Sequence, residues 1–348
     1  MNFLLPQGLG DTLWAMSKIE SVARVHRVKT IDVLLNCGNP VQAPQGRALD
    51  FVRRFKCVSS ARLYVVGDGS FLKPDPITDE HGHFRYLDDG PPRPGDRPRG
   101  AGPESLCGID FVMIPNGALE KGVRLENWLP EYPIDWNFLQ RNVTFTDGEK
   151  REAAAFLGET GPFVAFYLSC KGSNTEAGHN RGPLWRPESW IELGRRFEKE
   201  GLRIVVFGAE YDRDYFEEFI RLVAGSAWVD TIGRWPVMTA FAVLLRARFM
   251  VSYQCGLAMV PAYMGLRTVI FWRPYGDSLL PNVHVSCKEE MSMAWVPPSV
   301  MERGDYISAF YGRHDVDWIT GELEKRGWLG GREDSQAVVR PSLGENPR

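Results

Sequence analysis

Short apolar runs alternate with amphipathic segments along the first part of the chain. Asn2–Pro6, Ile31–Leu35 and Arg62–Val66 have the length of buried strands. The segment that ends near Arg27 repeats apolar residues at three- and four-residue spacing, as does Gly46–Phe55. The first of these two stripes consists of Leu13, Met16, Ile19, Val22 and Ala23. Strands that alternate with helices in this way predict a parallel sheet with helices on its faces.

A second and more regular alternation follows a helix predicted over Gly148–Leu157. Its predicted strands are Phe163–Leu168, Arg203–Phe207, Trp228–Ile232, Phe249–Tyr253 and Thr268–Trp272. Its predicted helices are Pro187–Gly201, Asp212–Leu222, Val237–Arg246 and Gly256–Met264. A chain of 348 residues also exceeds the size of one ordinary core. We therefore predict an α/β fold of two Rossmann-like domains with parallel sheets that face each other across a cleft.

The predicted domain boundary lies between residues 155 and 156. Residues 1–155 form the first domain, which also contains an apolar strand at Ile109–Ile114, and residues 156–330 form the second. The segment Leu87–Pro103 is rich in proline and glycine and predicts a flexible loop. That loop is either a tolerated surface insertion or a flap over the ligand cleft. Residues 331–348 are polar and predict a disordered tail.

Charge and composition exclude several classes of protein. The formal net charge is -3, so the surface as a whole is not built to bind nucleic acid or an anionic membrane. No apolar run approaches the roughly 20 residues of a membrane-spanning helix, and the first residues lack the pattern of a secretory signal. The 6 cysteines include no Cys-x-x-Cys pair, which favours reduced thiols over disulfides or a zinc site. These features predict a cytoplasmic protein without an integral membrane segment.

The first predicted strand is followed by a glycine turn that carries an acid. Gly8 and Gly10 let the backbone turn and approach a ligand closely, and the next helix starts there. A dinucleotide-binding Gly-x-Gly-x-x-Gly motif would need a third glycine where Leu13 stands, so that motif is broken. Asp11 either caps the helix or offers its carboxylate to a ligand.

Polar residues also follow three predicted strands of the second half. The loop after the first of these strands contains Ser169, Lys171 and Arg181, whose hydroxyl and cationic groups suit a phosphate. Acids follow the next strand, and a carboxylate there can accept hydrogen bonds from a ribose. The helix that starts at Gly256 can hold a diphosphate with its first backbone N–H groups.

The order of these motifs resembles that of glycosyltransferase family 9, the heptosyltransferase-like enzymes. The matching motifs are Gly8–Asp11, Trp185–Glu188, Gly208–Asp212, Gly233–Leu245 and Ser252–Gly256. The resemblance implies a GT-B fold and an inverting, metal-independent glycosyltransferase that moves a sugar from a nucleotide-diphosphate sugar to an acceptor hydroxyl. It also implies a carbohydrate acceptor, no metal site and no cofactor beyond the donor substrate.

The resemblance further assigns roles to individual residues. It implies that Asp11 is the general base. The residues beside it on the acceptor side are Gly8, Gly10 and Thr12. The implied donor contacts are Ser169, Lys171, Arg181, Asp212, Gln254, Cys255, Gly256 and Met259. Typical members have an aspartate and a histidine where this chain has Gln254 and Met259, so a donor other than ADP-heptose stays open as an alternative.

Two alternative functions also stay open. A protein that has lost donor residues could bind a nucleotide or a sugar without catalysis. A nucleic acid such as modified DNA could instead be the acceptor, with Arg93, Arg97 and Arg99 of the predicted loop as its contacts. A lipopolysaccharide acceptor, which is usual in the family, would place the enzyme at the inner face of a membrane as a peripheral protein.

Two further groups each have a structural and a functional interpretation. The run Asp315–Asp317 is similar to a metal-binding Asp-x-Asp motif, but its place at a predicted helix start favours capping. Trp128, Tyr132 and Trp136 either stack on a sugar or pack beneath a loop.

Overall fold

The computed structural model describes residues 1–6, 8–37, 47–65, 111–113, 115, 123–168, 185, 187–213, 228–272, 295–310 and 314–330. The chain divides into two compact units. The first comprises Met1–Val143 and Tyr275–Trp295, and the second comprises Thr144–Pro274 and Val296–Arg348. The division therefore precedes the helix Asp147–Thr160, within which the predicted boundary between residues 155 and 156 falls. The predicted loop 87–103 and the predicted tail 331–348 lie outside the described residues.

The described residues of the first unit form a four-stranded parallel sheet. Its strands are β1 (Asn2–Pro6), β2 (Ile31–Cys37), β3 (Val58–Val65) and β4 (Phe111–Val112), in the order β3-β2-β1-β4. Its helices are α1 (Leu9–Val25), α2 (Arg47–Val52) and α3 (Phe138–Asn142). The predicted apolar stripe of α1 is buried, and α1 packs on β1. Removal of these apolar side chains from water is a main source of stability for the packing of α1 on the sheet.

Strand β3 begins at Val58, earlier than the predicted start at Arg62. The hydroxyl of Ser59 donates to the carbonyl of Ile31 at 3.0 Å and to the carboxylate of Asp32 at 2.9 Å. Because β3 lies at the edge of the sheet, these side chains stay partly in water and carry no apolar pattern. Polar contacts with β2 therefore extend the strand beyond the apolar run that predicted it.

The described residues of the second unit form a six-stranded parallel sheet. Its strands are β5 (Phe163–Tyr167), β6 (Arg203–Val206), β7 (Trp228–Asp230), β8 (Met250–Tyr253), β9 (Thr268–Trp272) and β10 (Tyr306–Phe310), in the order β10-β9-β8-β5-β6-β7. Its helices are α4 (Asp147–Thr160), α5 (Pro187–Lys199), α6 (Val237–Leu244), α7 (Gly256–Tyr263), α8 (Pro298–Glu302) and α9 (Val316–Lys325). The predicted α/β class with parallel sheets is confirmed in both units.

Two parts of the second unit differ from the sequence-based expectation. The pattern of apolar residues does not identify β10, which pairs in parallel with β9 and places Ile307 opposite Val269. The predicted helix Asp212–Leu222 is described only at its start, where a short 3₁₀ turn covers Glu210–Asp212. Residues 214–222 of that helix lie outside the described ranges.

Local capping explains where two of these helices begin. Helix α4 starts with a capping box, in which the Thr146 hydroxyl accepts from the Glu149 N–H and the Glu149 carboxylate accepts from the Thr146 N–H. Helix α9 starts at Asp315, whose carboxylate accepts from the Trp318 N–H at 2.8 Å. Asp317 accepts a hydrogen bond from Arg196 at 2.6 Å. The prediction of a capping role for the run Asp315–Asp317 is confirmed for Asp315.

Aromatic side chains dominate the core of the second unit. The Trp190 ring lies 5.1 Å from Phe166 and 5.6 Å from Tyr253, in edge-to-face arrangements. In the same core, Gly194 of α5 faces the half-buried indole of Trp228. A Cβ at Gly194 would overlap this ring. The helix can approach β7 this closely only because residue 194 has no side chain.

We expect Gly194→Ala to destabilise the protein. The added methyl group must displace the Trp228 ring, which is held edge-on against Phe166. Overpacking of this kind costs about 1–3 kcal/mol. The matched control is Gly158→Ala in α4, where a Cβ meets nothing within 4 Å and alanine should stabilise the helix by about 0.5–1 kcal/mol. Chemical denaturation measures both, and equal effects of the two substitutions would contradict the close-packing explanation.

Candidate functional site

The strand order of each sheet places one strand at a topological switch point. In the first unit β1 lies between β2 and β4, and in the second unit β5 lies between β8 and β6. Ligands of open α/β sheets bind beyond the carboxyl ends of the strands at such points. The segments that follow β1, β5, β6 and β8 are therefore the candidate sites of their respective units.

In the first unit, the segment after β1 brings a carboxylate to the start of α1. The helix begins after Gly8, which is its N-cap residue, and Asp11 lies in the first turn. The interpretation of Asp11 as the N-cap is therefore wrong. A carboxylate in the first turn is stabilised by the positive end of the helix dipole. Asp11 is half-buried, and its Oδ2 atom lies 2.7 Å from the place that a Cβ on Gly8 would occupy.

The neighbouring predicted residues support this turn. The Thr12 hydroxyl donates to the Pro6 carbonyl at 2.7 Å, and the Thr12 N–H donates to the Gly8 carbonyl at 2.8 Å. Thr12 is 0% exposed, so it holds the turn together from inside. Gly10 lies in the first turn of α1 and is half-exposed. The structure thus brings Gly8, Gly10, Asp11 and Thr12 together at the carboxyl end of β1.

A buried lysine farther along α1 has no counterpart in the sequence-based prediction. The Lys18 ammonium group donates to the carbonyls of Glu126 at 3.3 Å and Leu129 at 3.2 Å. Burial lowers the pKa of Lys18 to about 8, and the charges of Glu131 and Glu126 oppose this change only in part. The signal that could have identified it is its spacing, because Lys18 stands four residues from both Trp14 and Val22 and therefore shares a helix face with them. Lys18 fixes the segment Glu126–Leu129 against the helix that carries Asp11.

Aromatic residues of the same segment pack inside the first unit. Trp128 is 0% and Tyr132 2% exposed, and the Tyr132 hydroxyl lies 2.8 Å from the His26 ring. Of the two interpretations for these residues, packing beneath the loop is confirmed for Trp128 and Tyr132. Trp136 is half-buried.

In the second unit, Asp212 follows β6 but points inward. Asp212 is 1% exposed, its Oδ2 accepts from the Ala209 N–H at 2.8 Å, and the Tyr167 hydroxyl lies 3.4 Å from both carboxylate oxygens. Burial of a charge is costly unless it is hydrogen-bonded, so these contacts are structural requirements. The carboxylate predicted to bind ribose is thus engaged in joining the ends of β5 and β6.

Glu210 carries the exposed carboxylate of the same turn. The Arg213 Nε atom donates to one carboxylate oxygen of Glu210 at 2.8 Å, and this bond holds the pKa of Glu210 below its usual range. Arg213 also donates to the Ile232 carbonyl at 2.8 Å and to Asp230 at 3.2 Å. The Glu210 carboxylate lies directly over Gly233, where any Cβ would overlap it. Asp212 is the predicted ribose contact, although both acids stand in the same turn.

The segment after β8 contains four predicted donor residues. Helix α7 begins after Cys255, whose side chain makes no capping hydrogen bond, and Gln254 and Gly256 are half-exposed. Burial of the thiol raises the pKa of Cys255 to about 12, so it stays protonated near neutral pH. Met259 is 1% exposed and belongs to the core. The start of α7 therefore exposes Gln254 and Gly256 in part, while the Cys255 thiol is buried and Met259 packs in the core.

The remaining predicted donor contacts are Ser169, Lys171 and Arg181. All three lie outside the described residues. Trp185, the next described residue, donates its indole N–H to the His314 carbonyl at 2.9 Å. Among the described residues, no helix is long and apolar enough to cross a membrane.

Comparisons with known proteins identify the fold. No protein-family model matches the chain, and no curated protein sequence does. Among solved structures, ADP-heptose LPS heptosyltransferase II of E. coli is similar over 93% of this chain and 97% of its own, with 13% identity and a TM-score of 0.54. A glycosyltransferase family 9 protein of Veillonella parvula is similar over 93% of this chain and 96% of its own, with 11% identity and a TM-score of 0.53. The predicted GT-B fold class is confirmed by these likenesses.

We expect the stability of the protein to depend on the titration of Lys18. Its folded pKa of about 8 lies below its usual value of 10.5, so in this window the unfolded chain holds a proton that the folded protein has lost. The contribution of Lys18 to the free energy of unfolding therefore rises with pH from about 8 to about 10.5, by up to about 3 kcal/mol. Denaturation of the wild type and of Lys18→Met across this range isolates the effect. A stability difference between the two proteins that stays constant with pH would contradict the burial of the charged amine.

Proposed function

We propose that this protein is an inverting glycosyltransferase that transfers a sugar from a nucleotide-diphosphate sugar to an acceptor hydroxyl, with Asp11 as general base. The observation that carries the proposal is the half-buried Asp11 carboxylate at the carboxyl end of β1, the switch-point strand. This carboxylate occurs in a fold similar to that of an ADP-heptose heptosyltransferase. A base must reach the proton of the acceptor within hydrogen-bond distance, and a side chain at a helix start beyond a strand is open to ligands.

The reaction follows from elementary chemistry. Asp11 accepts the proton of the acceptor hydroxyl while the oxygen attacks the anomeric carbon. The new C–O bond forms as the bond between this carbon and the diphosphate oxygen breaks, and the electron pair leaves with the nucleoside diphosphate. Attack from the side opposite the leaving group inverts the anomeric configuration. Asp11 must lie within about 3 Å of the acceptor oxygen, directly or through one water.

The second unit supplies the donor contacts in this proposal. The backbone N–H groups at the start of α7 offer partial positive charge to the leaving diphosphate, and Lys171 and Arg181 add full charges. Fixed donors of this kind stabilise the charge that develops in the transition state. We assign the ribose contact to Glu210, because Asp212 is already engaged with Ala209 and Tyr167. The donor is a nucleotide sugar and the acceptor a carbohydrate, with no metal or other cofactor in the scheme.

Binding without turnover is the second candidate function. The observation that favours it is that two predicted donor residues, Asp212 and Met259, are buried inside the second unit. A protein of this kind would bind nucleoside diphosphates but release none from a nucleotide sugar. An assay for release of nucleoside diphosphate from nucleotide sugars distinguishes the two functions, because the proposed enzyme catalyses this release and the binder does not.

We expect Asp11→Asn to abolish transfer while nucleotide binding is retained. An amide cannot accept the acceptor proton, and the loss of a general base typically costs on the order of 10²–10⁴-fold in rate. The measurement is release of nucleoside diphosphate from a panel of nucleotide sugars, together with calorimetric titration by ADP and UDP. Asp147→Asn is the matched control, since Asp147 is an exposed acid in the first turn of α4. Transfer by Asp11→Asn at the wild-type rate would overturn the assignment of the base.

We expect Glu210→Gln to weaken nucleotide binding about tenfold, because a hydrogen bond to a charged group contributes roughly 1.5–3 kcal/mol and the neutral bond that the amide retains contributes only about 0.5–1.5 kcal/mol. A hydrogen bond from the ribose to Glu210 is tested with 2′-deoxy-ADP, which lacks one ribose hydroxyl donor. The wild type should bind it more weakly than ADP, and Glu210→Gln should reduce that difference. Glu324→Gln, an exposed acid of α9, is the control. Unchanged ADP affinity in Glu210→Gln would refute the ribose assignment.

A further inference from the structure

Gly8 is glycine for a reason other than its backbone conformation. Its φ of -61° and ψ of 125° are values that any residue can adopt. A Cβ at this position, however, would lie 2.7 Å from the Asp11 Oδ2 atom, 3.7 Å from its Cγ and 3.9 Å from its Cβ. The Asp11 side chain thus folds back over the N-cap residue, and it occupies the space in which a side chain of residue 8 would stand.

The backbone around Gly8 cannot easily move to make room for a larger residue. The Thr12 N–H holds the Gly8 carbonyl at 2.8 Å, and the Thr12 hydroxyl holds the Pro6 carbonyl at 2.7 Å. Behind Thr12, Leu13 and Trp14 are buried in the core of the first unit. The Asp11 carboxylate is the movable partner, so a side chain at residue 8 would displace it by rotation about χ1.

We propose that Gly8 is a positioning residue for Asp11, and that the absence of its side chain sets where the catalytic carboxylate lies. This inference rests on the proposed function, in which Asp11 is the general base. A carboxylate base works only at hydrogen-bond distance from the acceptor oxygen. Displacement of a reacting group by about 1 Å can cost on the order of 10²-fold in rate.

The test of the catalytic effect uses two substitutions at residue 8. Gly8→Ala and Gly8→Ser both add a Cβ, but serine is also a favourable N-cap residue and should restore any capping that is lost. Both variants should lower kcat on the order of 10²-fold and leave KM for the nucleotide-sugar donor unchanged. Gly158→Ala should keep the wild-type kcat, since a Cβ there meets nothing within 4 Å. Near-wild-type kcat in Gly8→Ala, or recovery in Gly8→Ser alone, would overturn the proposal.

A second measurement tests the geometry independently of catalysis. In the wild-type background, Gly8→Ala should lower the melting temperature by ~2–4 °C, because the displaced Asp11 carboxylate loses its favourable position at the positive end of the helix dipole and alanine is a poorer N-cap residue than glycine. In the Asp11→Ala background the carboxylate is absent, and the same substitution should lower the melting temperature by a smaller amount, because only the weaker N-cap preference of alanine remains. Equal shifts in both backgrounds would show that residue 8 does not contact Asp11, and this result would overturn the inference.

The two proposals fail in different ways. If Asp11→Asn transfers sugar at the wild-type rate, the proposed function is wrong and Gly8 cannot be a positioning residue for a base. If Asp11→Asn is inactive but Gly8→Ala is fully active, the base assignment stands and the inference about Gly8 is wrong. Loss of kcat in Asp11→Asn and in Gly8→Ala, with a larger melting-temperature shift for Gly8→Ala in the background that retains Asp11, supports both proposals.

Discussion

Parallel pairing of buried strands is the constraint on which both units depend. Leu4 pairs with Leu34 in the first sheet, and Val164 pairs with Ile204 in the second, each within an all-parallel ladder. Parallel strands end at the same edge of their sheet, so the turns that follow them are grouped there whatever their distance along the chain. Asp11 follows β1 directly, while Glu210 and the start of α7 follow β6 and β8. The same hydrophobic burial that forms each sheet therefore also assembles the candidate contacts of that unit.

The cost of burying charge decides which polar residues of these turns are available to a ligand. Asp212 lies inside the second unit and is retained there by the Ala209 N–H and the Tyr167 hydroxyl. Glu210 lies outside and is held by Arg213 in water. In the first unit the buried Lys18 ammonium group donates hydrogen bonds to two backbone carbonyls. These bonds offset only part of the free energy lost by removing the charge from water, so the pKa of Lys18 is lowered. Asp212 and Lys18 therefore each join two segments of the fold, whereas the exposed Glu210 carboxylate is accessible to a ligand.

Much of the architecture could be predicted because its signals are local. The strands at Asn2–Pro6 and Thr268–Trp272 have the predicted ends, and Asp315 caps the predicted helix start. Strands at sheet edges were harder to predict: β3 starts within a polar run, and β10 acquires its structure from pairing with β9. The position of Asp11 beside Gly8 was predicted as a turn motif, but its N-cap alternative failed because the helix begins one turn earlier. Neighbours in sequence carry these signals, and partners across the sheet do not.

The sequence by itself determined the α/β class, most of the alternation of strands and helices along the chain, and an acid near the start of α1. Periodicity, capping and glycine turns depend on residues a few positions apart, so they can be recognised without the fold. Only the tertiary structure decided that Asp212 faces inward and Glu210 outward, because the Tyr167 hydroxyl that engages Asp212 is separated from it by 45 residues. It also decided that Met259 is core, and that Gly8 is required for the space taken by a carboxylate and not for its own dihedral angles. Those outcomes depend on which side chains occupy the same space in the folded protein, and the order of residues along the chain does not specify this.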